Sequence, residues 1–591
     1  MQMVVKYWMK TKWKFIGGIV LVIGSTAFSL LAPMLVGRAV NLASEAAIGD
    51  TSAIGGFATW MLAAIASGFI AFLLNRWSRI LNAEVASKAL YYLRKDIYDA
   101  IYQQSFSFFD KQETGQLVAK ATSDVESTEP VFGMVLNMGF QGFMTLGGVL
   151  VALLLLGNPI GYIFLLVIPT SLIASVVITL KLRPIFIETR EAFGELTNTL
   201  RENIVGSQVV RIFSTQDKEK AKFNRNNTRF RDASIRTTKL SFIFMPMNMI
   251  LISIMFVSVI YFGGMMIVND VPGMDIGILI TLQAFGGQII FPLIIMGQIL
   301  TLFVQSDAAL IRIREVIESV PDIKEAANPL PAGNIKGEVE FRDVSFGYTP
   351  SNLVLKNLDF TVPAGKKIAI IGTTGSGKST IINLLPRFYD VSAGEIRIDG
   401  VNIKDYKLNE LRKQIGIVSQ DVFLFNKSIL DNIRFGKDEA TLDEVIEAAK
   451  IADIHDFIDS LPEKYNTMVG ERGMRLSGGQ KQRLSIARAL LIKPRILVFD
   501  DSTSSVDVET EYRIQQALEL FEHATTFIIT QRISTIRNAD LILVLDKGRV
   551  VGFGTHDELI DKNPLYTQIY QTLYQKQKSL SIKVKEEAIT R

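Results

Sequence analysis

Six long apolar runs constrain this chain more than any other feature: Phe15–Gly37, Ile54–Leu74, Gly133–Leu156, Ile160–Leu180, Phe242–Val268 and Ile276–Phe303. A helix rises about 1.5 Å per residue, so about 20 apolar residues cross the hydrocarbon core of a bilayer. Buried helices of a soluble protein seldom run that long without a charged face. The chain's mean hydropathy of +0.27, with only 21% charged residues, agrees with partial solvation by lipid. These runs predict an all-α membrane domain of six spans. The opening stretch Met1–Lys14 carries Lys6, Lys10, Lys12 and Lys14 among Tyr7, Trp8 and Trp13. A cleaved signal peptide is the competing expectation, but the apolar run behind it is about 23 residues long and no small-residue cleavage site stands out. The stretch therefore reads as a short helix on the cytoplasmic surface ahead of a retained first span.

The links between spans alternate in length. Spans three and four are joined by little more than Gly157-Asn158-Pro159, whereas the links after spans two and four are each about 60 residues long and highly charged. The link Lys181–Lys239 is rich in Lys and Arg, whereas Asn269–Asp275 has neither. Basic clusters close to the spans place the long links and both termini in the cytoplasm of a multi-pass cell-membrane protein. Ala83–Gln104 and Arg190–Val205 lack helix breakers, so the membrane helices are expected to continue beyond the bilayer. Two sequences, Thr114-Gly115-Gln116-Leu117 and Gly206-Ser207-Gln208-Val209, interrupt those extensions.

Near Val320 the composition changes. The membrane domain is expected over 1–325, a linker containing Pro329, Pro331 and Gly333 over 326–336, an α/β domain over 337–575 and a polar tail over 576–591. The absence of cysteine excludes disulfides, zinc–thiolate sites and iron–sulfur clusters. A net charge of +4 gives no argument for a nucleic-acid partner. Behind the buried strand Lys367–Ile371 stands Gly372-Thr373-Thr374-Gly375-Ser376-Gly377-Lys378-Ser379-Thr380, followed by an apolar helical segment. This is a phosphate loop in its strand–loop–helix setting. Its glycines let backbone N–H groups converge on phosphates, Lys378 supplies a point charge, and the Ser379 hydroxyl can ligate Mg²⁺. The pattern implies ATP with Mg²⁺ as cofactors. A second apolar strand, Ile496–Phe499, ends in Asp500, suited to Mg²⁺ if it lies beside the loop; a helix N-cap is the alternative role.

With these motifs in order, the chain resembles an ABC transporter of the exporter type over nearly its whole length. Leu476-Ser477-Gly478-Gly479-Gln480 resembles the family signature, which closes over the γ-phosphate of ATP held by a partner domain. Ser477 and two glycines opening a helix offer suitable anion donors. Tyr348 resembles the aromatic residue that stacks on adenine, although strand packing alone would explain it. Gln420 resembles the glutamine that reaches Mg²⁺ and the attacking water, and Ser504–Asp507 the loop that crosses the dimer interface. The two helix interruptions in the long links resemble the segments that couple the domains.

Two departures from the family pattern bear on mechanism. Asp501 stands where the family has the glutamate general base, and it is one methylene shorter. Gln531 stands where the family has a histidine; it can donate a hydrogen bond but cannot carry the imidazolium charge. The resemblance therefore implies a site that binds ATP and cleaves it poorly, beside an intact signature. A second half-transporter chain supplying Glu and His would complete one competent site; a slow homodimer is the alternative. The expected activity is an ATPase coupled to export of hydrophobic or amphipathic small molecules, drugs or lipids, across the bilayer. Export of peptides and a nucleotide-gated channel remain as further readings. Six methionines in span five, Met245, Met247, Met249, Met255, Met265 and Met266, suit adaptable apolar binding, but ordinary packing explains them as well.

Overall fold

The computed structural model describes residues 2–47, 53–333, 335–349, 351–500 and 524–575. Asp501, the 504–507 loop and the tail beyond 575 lie outside the described residues. The chain divides into two compact units. One comprises Met1–Gln103 and Glu113–Ser319; the other comprises Gln104–Gln112 and Val320–Arg591.

The first unit is helical. A short helix α1 (Gln2–Met9) precedes α2 (Lys12–Ala47) and α3 (Ala53–Tyr102); α4 (Phe106–Lys111) belongs to the second unit. Then come α5 (Thr114–Leu156), α6 (Gly161–Val205), the short α7 (Ser207–Ile212), α8 (Gln216–Val268) and α9 (Ile276–Ile317). Six of these helices are long and apolar enough to cross a membrane, one for each apolar run. Only 11% of the most apolar window of α3 is buried inside the protein, so its Leu, Ile and Phe side chains need lipid as their solvent. The 50 residues of α3 and 53 of α8 far exceed one bilayer crossing, and their excess length carries the charged residues of the long links.

Close backbone approach and polar contacts at helix crossings hold the bundle together. A Cβ on Gly37 of α2 would overlap the Gly277 carbonyl of α9, and one on Gly277 would overlap the Gly37 carbonyl. Small residues at such a crossing let the helices touch where apolar burial gives no driving force. Next to it, the Asn41 amide oxygen accepts from Gly277 N at 2.7 Å. Helix α5 widens to π-type turns over Lys120–Asp124 and Val131–Gly139, on either side of Pro130. Arg312 of α9 binds Asp124 in the first of these through two hydrogen bonds, and Trp8 of α1 donates to the Phe132 carbonyl in the second at 3.3 Å. Helix α1 is also anchored by the Tyr7 hydroxyl, which donates to Asp96 of α3.

The second long link forms an antiparallel pair from the distal parts of α6 and α8. Three ion pairs bridge it: Glu188–Arg236, Glu195–Arg229 and Glu202–Lys222. Glu188, Glu195 and Glu202 recur every seven residues on one helix and Arg236, Arg229 and Lys222 on the other, so one flank of the pair carries opposite charges in register. Ala192 and Ala233 are buried between the helices, and the Phe193 and Phe230 rings meet at 5.3 Å.

The second unit is α/β. A four-stranded antiparallel sheet has the order β2 (Leu355–Val362), β1 (Val339–Phe346), β4 (Ala393–Ile398), β5 (Val401–Asn402). A six-stranded sheet has the order β10 (Arg549–Gly554), β9 (Leu541–Asp546), β3 (Lys367–Gly372), β8 (Thr525–Ile529), β7 (Ile496–Asp500), β6 (Ile415–Val418). Strands β9, β3, β8, β7 and β6 are mutually parallel. Phe341, Val344, Ile368, Ile370 and Phe527 belong to one buried core. The helices α10 (Lys378–Leu384), α11 (Leu408–Lys413), α12 (Ile429–Arg434), α13 (Leu442–Ile451), α14 (His455–Asp459) and α15 (Gly478–Leu491) follow in the chain, then α16 (Ile533–Arg537) and α17 (His556–Lys562). A second core, around Ile433, Val445 and Leu484, gathers α12, α13 and α15.

One sequence reading needs correction. Thr114-Gly115-Gln116-Leu117 is the first turn of the long helix α5, with Leu117 buried, and it is not a short separate helix. The separate helix is α4, a few residues earlier, because Gln112 and Glu113 are extended and break the chain there. In the second link, Ser207–Ile212 is a short helix of its own, opened by Gly206.

Candidate functional site

Strand register brings the predicted site residues to one edge of the six-stranded sheet. Ile370 lies beside Ile529, Ile529 beside Asp500, and Phe499 beside Val418. Because the strands are parallel, the phosphate loop after β3, Asp500 at the end of β7, Gln420 after β6 and Gln531 after β8 all leave the carboxyl edge. Gln420 and Gln531 are both exposed there.

The loop from Gly372 to Gly377 needs its glycines. Gly375 has φ +80° and Gly377 φ +101°, conformations that L side chains rarely adopt. A Cβ on Gly372 would overlap the Leu545 carbonyl of the neighbouring strand. Inside the cradle the Ser376 hydroxyl is buried, and its oxygen has no hydrogen-bond partner among the described residues. The Lys378 ammonium folds back over the loop and donates to the Gly372 carbonyl at 3.1 Å and the Thr373 carbonyl at 2.8 Å. Carbonyl oxygens are weak partners for an ammonium, and phosphate oxygens in the same cradle would be stronger ones. The Ser379 hydroxyl donates to Asp500 Oδ1 at 3.3 Å. A hydroxyl and a carboxylate so placed offer two oxygen ligands to a hard divalent cation. The backbone of Thr373 and Thr374 completes the loop, and Thr380 lies in the first turn of α10, its hydroxyl 3.3 Å from the Tyr348 hydroxyl.

Tyr348 follows β1 and is 46% exposed. Its ring meets Phe346 and Tyr389 edge-on, at 5.1 Å and 5.3 Å. That packing holds the ring beside the start of α10 while leaving it open to a flat partner.

Ser477 caps α15 from a different part of the unit. Its hydroxyl accepts from Gln480 N at 3.3 Å, and its own N–H donates to the Gln480 side chain at 2.9 Å. This reciprocal cap leaves Gly478 and Gly479 as the first residues of a 14-residue helix. Their backbone N–H groups and the positive end of the helix dipole can face an anion brought by another molecule. The site thus falls into two parts: a loop with its cation ligands, and a separate helix start.

The sequence reading missed α4, the separate short helix of the first long link that belongs to the second unit. Within the second unit, Phe106 stacks on Phe388 at 4.0 Å, and the Tyr389 hydroxyl donates to Asp110 at 2.6 Å. The available signal was three phenylalanines within four residues, Phe106, Phe108 and Phe109, directly ahead of Asp110.

Comparison with known proteins agrees with this geometry. The family described as ABC transporter transmembrane region matches residues 15–293, and that described as ABC transporter matches residues 355–504. The putative multidrug export ATP-binding/permease protein YgaD of Bacillus subtilis (strain 168) is 36% identical over 487 residues, covering 82% of this chain and 84% of the relative. The ATP-dependent lipid A-core flippase of Syntrophus aciditrophicus (strain SB) is 35% identical over 502 residues, covering 84% of this chain and 83% of the flippase. A bacterial Atm1-family ABC exporter solved with ATP bound superposes with a TM-score of 0.81 at 28% identity, covering 95% of this chain and 98% of that one.

Proposed function

The chain belongs to the ABC transporter family, as an exporter-type chain, and from that premise we propose that it is the ATP-binding, weakly hydrolysing half of a heterodimeric exporter of hydrophobic or amphipathic compounds. The observation that carries this reading is the composition of the carboxyl edge: a complete phosphate loop, Ser379 on Asp500, and a glutamine, Gln531, after β8 where the family has a histidine.

ATP fits the loop on the chain's own features. The buried Ser376 hydroxyl, without a partner among the described residues, the glycine cradle and the folded-back Lys378 are each suited to phosphate oxygens. Tyr348 would stack on the base, and Ser379, Asp500 and Gln420 would hold Mg²⁺. When bound, Mg²⁺ neutralises charge on the β- and γ-phosphate oxygens. Gln531 can donate a hydrogen bond to a γ-phosphate oxygen but cannot offer a cationic donor. Asp501 is the remaining candidate base, and its shorter side chain must reach further to the attacking water. The partner's phosphate loop would meet Ser477, Gly478 and Gly479 at the start of α15, so this chain would serve catalysis best at the partner's site.

Support for a second chain comes also from α7 and its flanks. Val205, Ile212 and Phe213 are more than 70% exposed, an apolar tip at the end of a polar arm. Such a patch favours burial against another protein. The relatives named for multidrug and lipid export favour drugs or lipids as cargo. The basic long links favour cytoplasmic termini.

Two measurements test the reading. Purification of the chain from its native membrane is expected to bring a second, different ABC chain, and recovery of this chain alone with full ATPase activity would overturn the heterodimer. ATP-dependent accumulation of a hydrophobic dye in inverted vesicles is expected; downhill passage without turnover would indicate a channel.

A further inference from the structure

We propose that Tyr389 is a positioning residue that ties base stacking at Tyr348 to helix α4 of the first long link, through its hydrogen bond to Asp110. The proposal rests on the reading of Tyr348 as the base-stacking residue.

The turn Arg387–Asp390 gathers three parts of the second unit. Its Tyr389 ring packs edge-on against Tyr348 at 5.3 Å and meets Phe346 at 5.5 Å. The Tyr389 hydroxyl donates to Asp110 Oδ2 at 2.6 Å, and the preceding Phe388 stacks on Phe106 at 4.0 Å with its plane tilted by 25°. Arg387 donates to the Lys324 carbonyl at 2.9 Å, and Ser107 of α4 donates to Asp322 at 2.5 Å. Helix α4 and the segment that leads from the membrane unit into the nucleotide-binding fold therefore meet at one turn, and one ring of that turn lies against the base-stacking tyrosine.

The turn is built to be stiff. Arg387 is buried with φ +51°, a strained conformation for a residue other than glycine. Its guanidinium is held by both Asp390 oxygens and by the Lys324 and Lys404 carbonyls. Arg412 donates to the Pro386 and Arg387 carbonyls from below and lies 5.5 Å from the Phe388 ring centre. Burial, with the Asp110 carboxylate beside it, pushes the Tyr389 hydroxyl well above the ordinary phenol range, so it remains a donor at any physiological pH. A rigid turn carrying a rigid aromatic ring transmits a displacement that a flexible loop would absorb. Base stacking on Tyr348 is thus sensed at Asp110, whereas the phosphate loop reaches this path one step further back, through the Thr380 hydroxyl 3.3 Å from that of Tyr348.

The test uses the full transporter in lipid nanodiscs. This chain has no cysteine, so a single Lys111→Cys at the exposed end of α4 takes one environment-sensitive fluorophore. ATP under non-hydrolysing conditions is expected to shift the emission. Inorganic tripolyphosphate, which can fill the loop but has no base, is expected to bind without the shift. Tyr389→Phe keeps the ring and removes the donor. It should leave photocrosslinking of azido-ATP to this chain unchanged while cutting the fluorophore response at least about 5-fold, the scale of one lost hydrogen bond. Asp110→Asn keeps an acceptor and should retain most of the response, a rescue that a merely structural role would not produce. An undiminished response in Tyr389→Phe, or an equal response to tripolyphosphate, would overturn the proposal. Unchanged crosslinking in Tyr348→Ala would instead remove the base-stacking reading beneath it.

Discussion

Gln288 of α9 donates its amide to the Ser29 carbonyl of α2 at 3.0 Å, and Ser29 is the residue whose carbonyl Pro33 leaves without a helical donor. A proline has no N–H, so the carbonyl four residues earlier loses its bond. In lipid no water replaces it. A side chain from span six thus repairs the backbone of span one, on the same helix pair that meets at Gly37 and Gly277.

This pairing predicts a coupled stability effect. Gln288→Leu should destabilise the protein by about 1 kcal/mol, within the range of interhelical hydrogen bonds in membranes. In a Pro33→Ala background the restored N–H satisfies Ser29, and Gln288→Leu should then be nearly neutral. Thermal unfolding of the four variants in one detergent gives the cycle. Equal losses in both backgrounds would show that Gln288 acts through packing alone.

Arg312 and Asp124 predict an asymmetric pair of losses. Arg312 Nε and Nη2 bind the two Asp124 oxygens at 2.9 Å and 2.6 Å, with the Asp124 side chain 12% exposed and that of Arg312 49%. Removing the arginine leaves a mostly buried carboxylate, whereas removing the aspartate leaves a cation that water can reach. Arg312→Ala should therefore cost more than Asp124→Ala, by about 1 kcal/mol, the desolvation penalty of an unpaired group. Apparent melting temperatures at fixed scan rate would reveal the order, and the reverse order would mean that the pair is organised by Arg312's other neighbours.

The membrane fold was legible in the sequence because each span had to be long, apolar and uncharged, a pattern that few other structures share. The phosphate loop was legible because Gly375 and Gly377 adopt backbone conformations that L side chains rarely adopt. What the sequence hid was long-range. Nothing in Ser29 or Gln288 alone marks them as partners, 259 residues apart. Helix α4 was hidden because a six-residue helix has no periodicity to read, and Gly115 drew attention to the wrong side of the break at Gln112. Of the methionines in span five, Met255 is buried against the backbone of Gly286, a packing role, whereas Met249 and Met265 are about half exposed.

Topology gives a third prediction. Asn269 lies in a connection without Lys or Arg, and Ser214 in a strongly basic link. An impermeant thiol reagent should label Asn269→Cys on intact cells and Ser214→Cys only after permeabilisation. The opposite pattern would invert the orientation inferred from charge.

The nucleotide site gives a fourth. Lys378→Ala removes the ammonium that now bonds the Gly372 and Thr373 carbonyls. Azido-ATP crosslinking to this chain should fall at least about 10-fold, or about 1.4 kcal/mol. Asp500→Asn should preserve the bond to Ser379 yet abolish the gain in affinity that Mg²⁺ brings, measured as crosslinking with and without chelator. Retained Mg²⁺ dependence would remove Asp500 from the cation's ligands.

The last prediction separates a heterodimer from a homodimer. In the proposed arrangement the site bearing Asp501 and Gln531 contributes little turnover, because its base is short and its γ-phosphate donor is neutral. Asp501→Ala should then reduce the ATPase rate of the complex only modestly. Gly479 opens α15 next to the reciprocally capped Ser477, where the backbone N–H groups would face the partner's γ-phosphate. Gly479→Glu sets a carboxylate against that anion and obstructs the helix start. Loss of one well-placed transition-state donor costs on the order of 100–1000-fold, so this variant should be nearly inactive. The pair Asp501→Glu with Gln531→His should raise turnover, since it restores both the reach of the base and a cationic donor; a displacement of about 1 Å is worth on the order of 100-fold. Steady-state ATPase rates of the purified variants beside the unmodified complex decide the matter. In a homodimer both sites depend on Asp501, so near-complete loss in Asp501→Ala, with no second chain in the preparation, would replace the asymmetric exporter with a slow symmetric one.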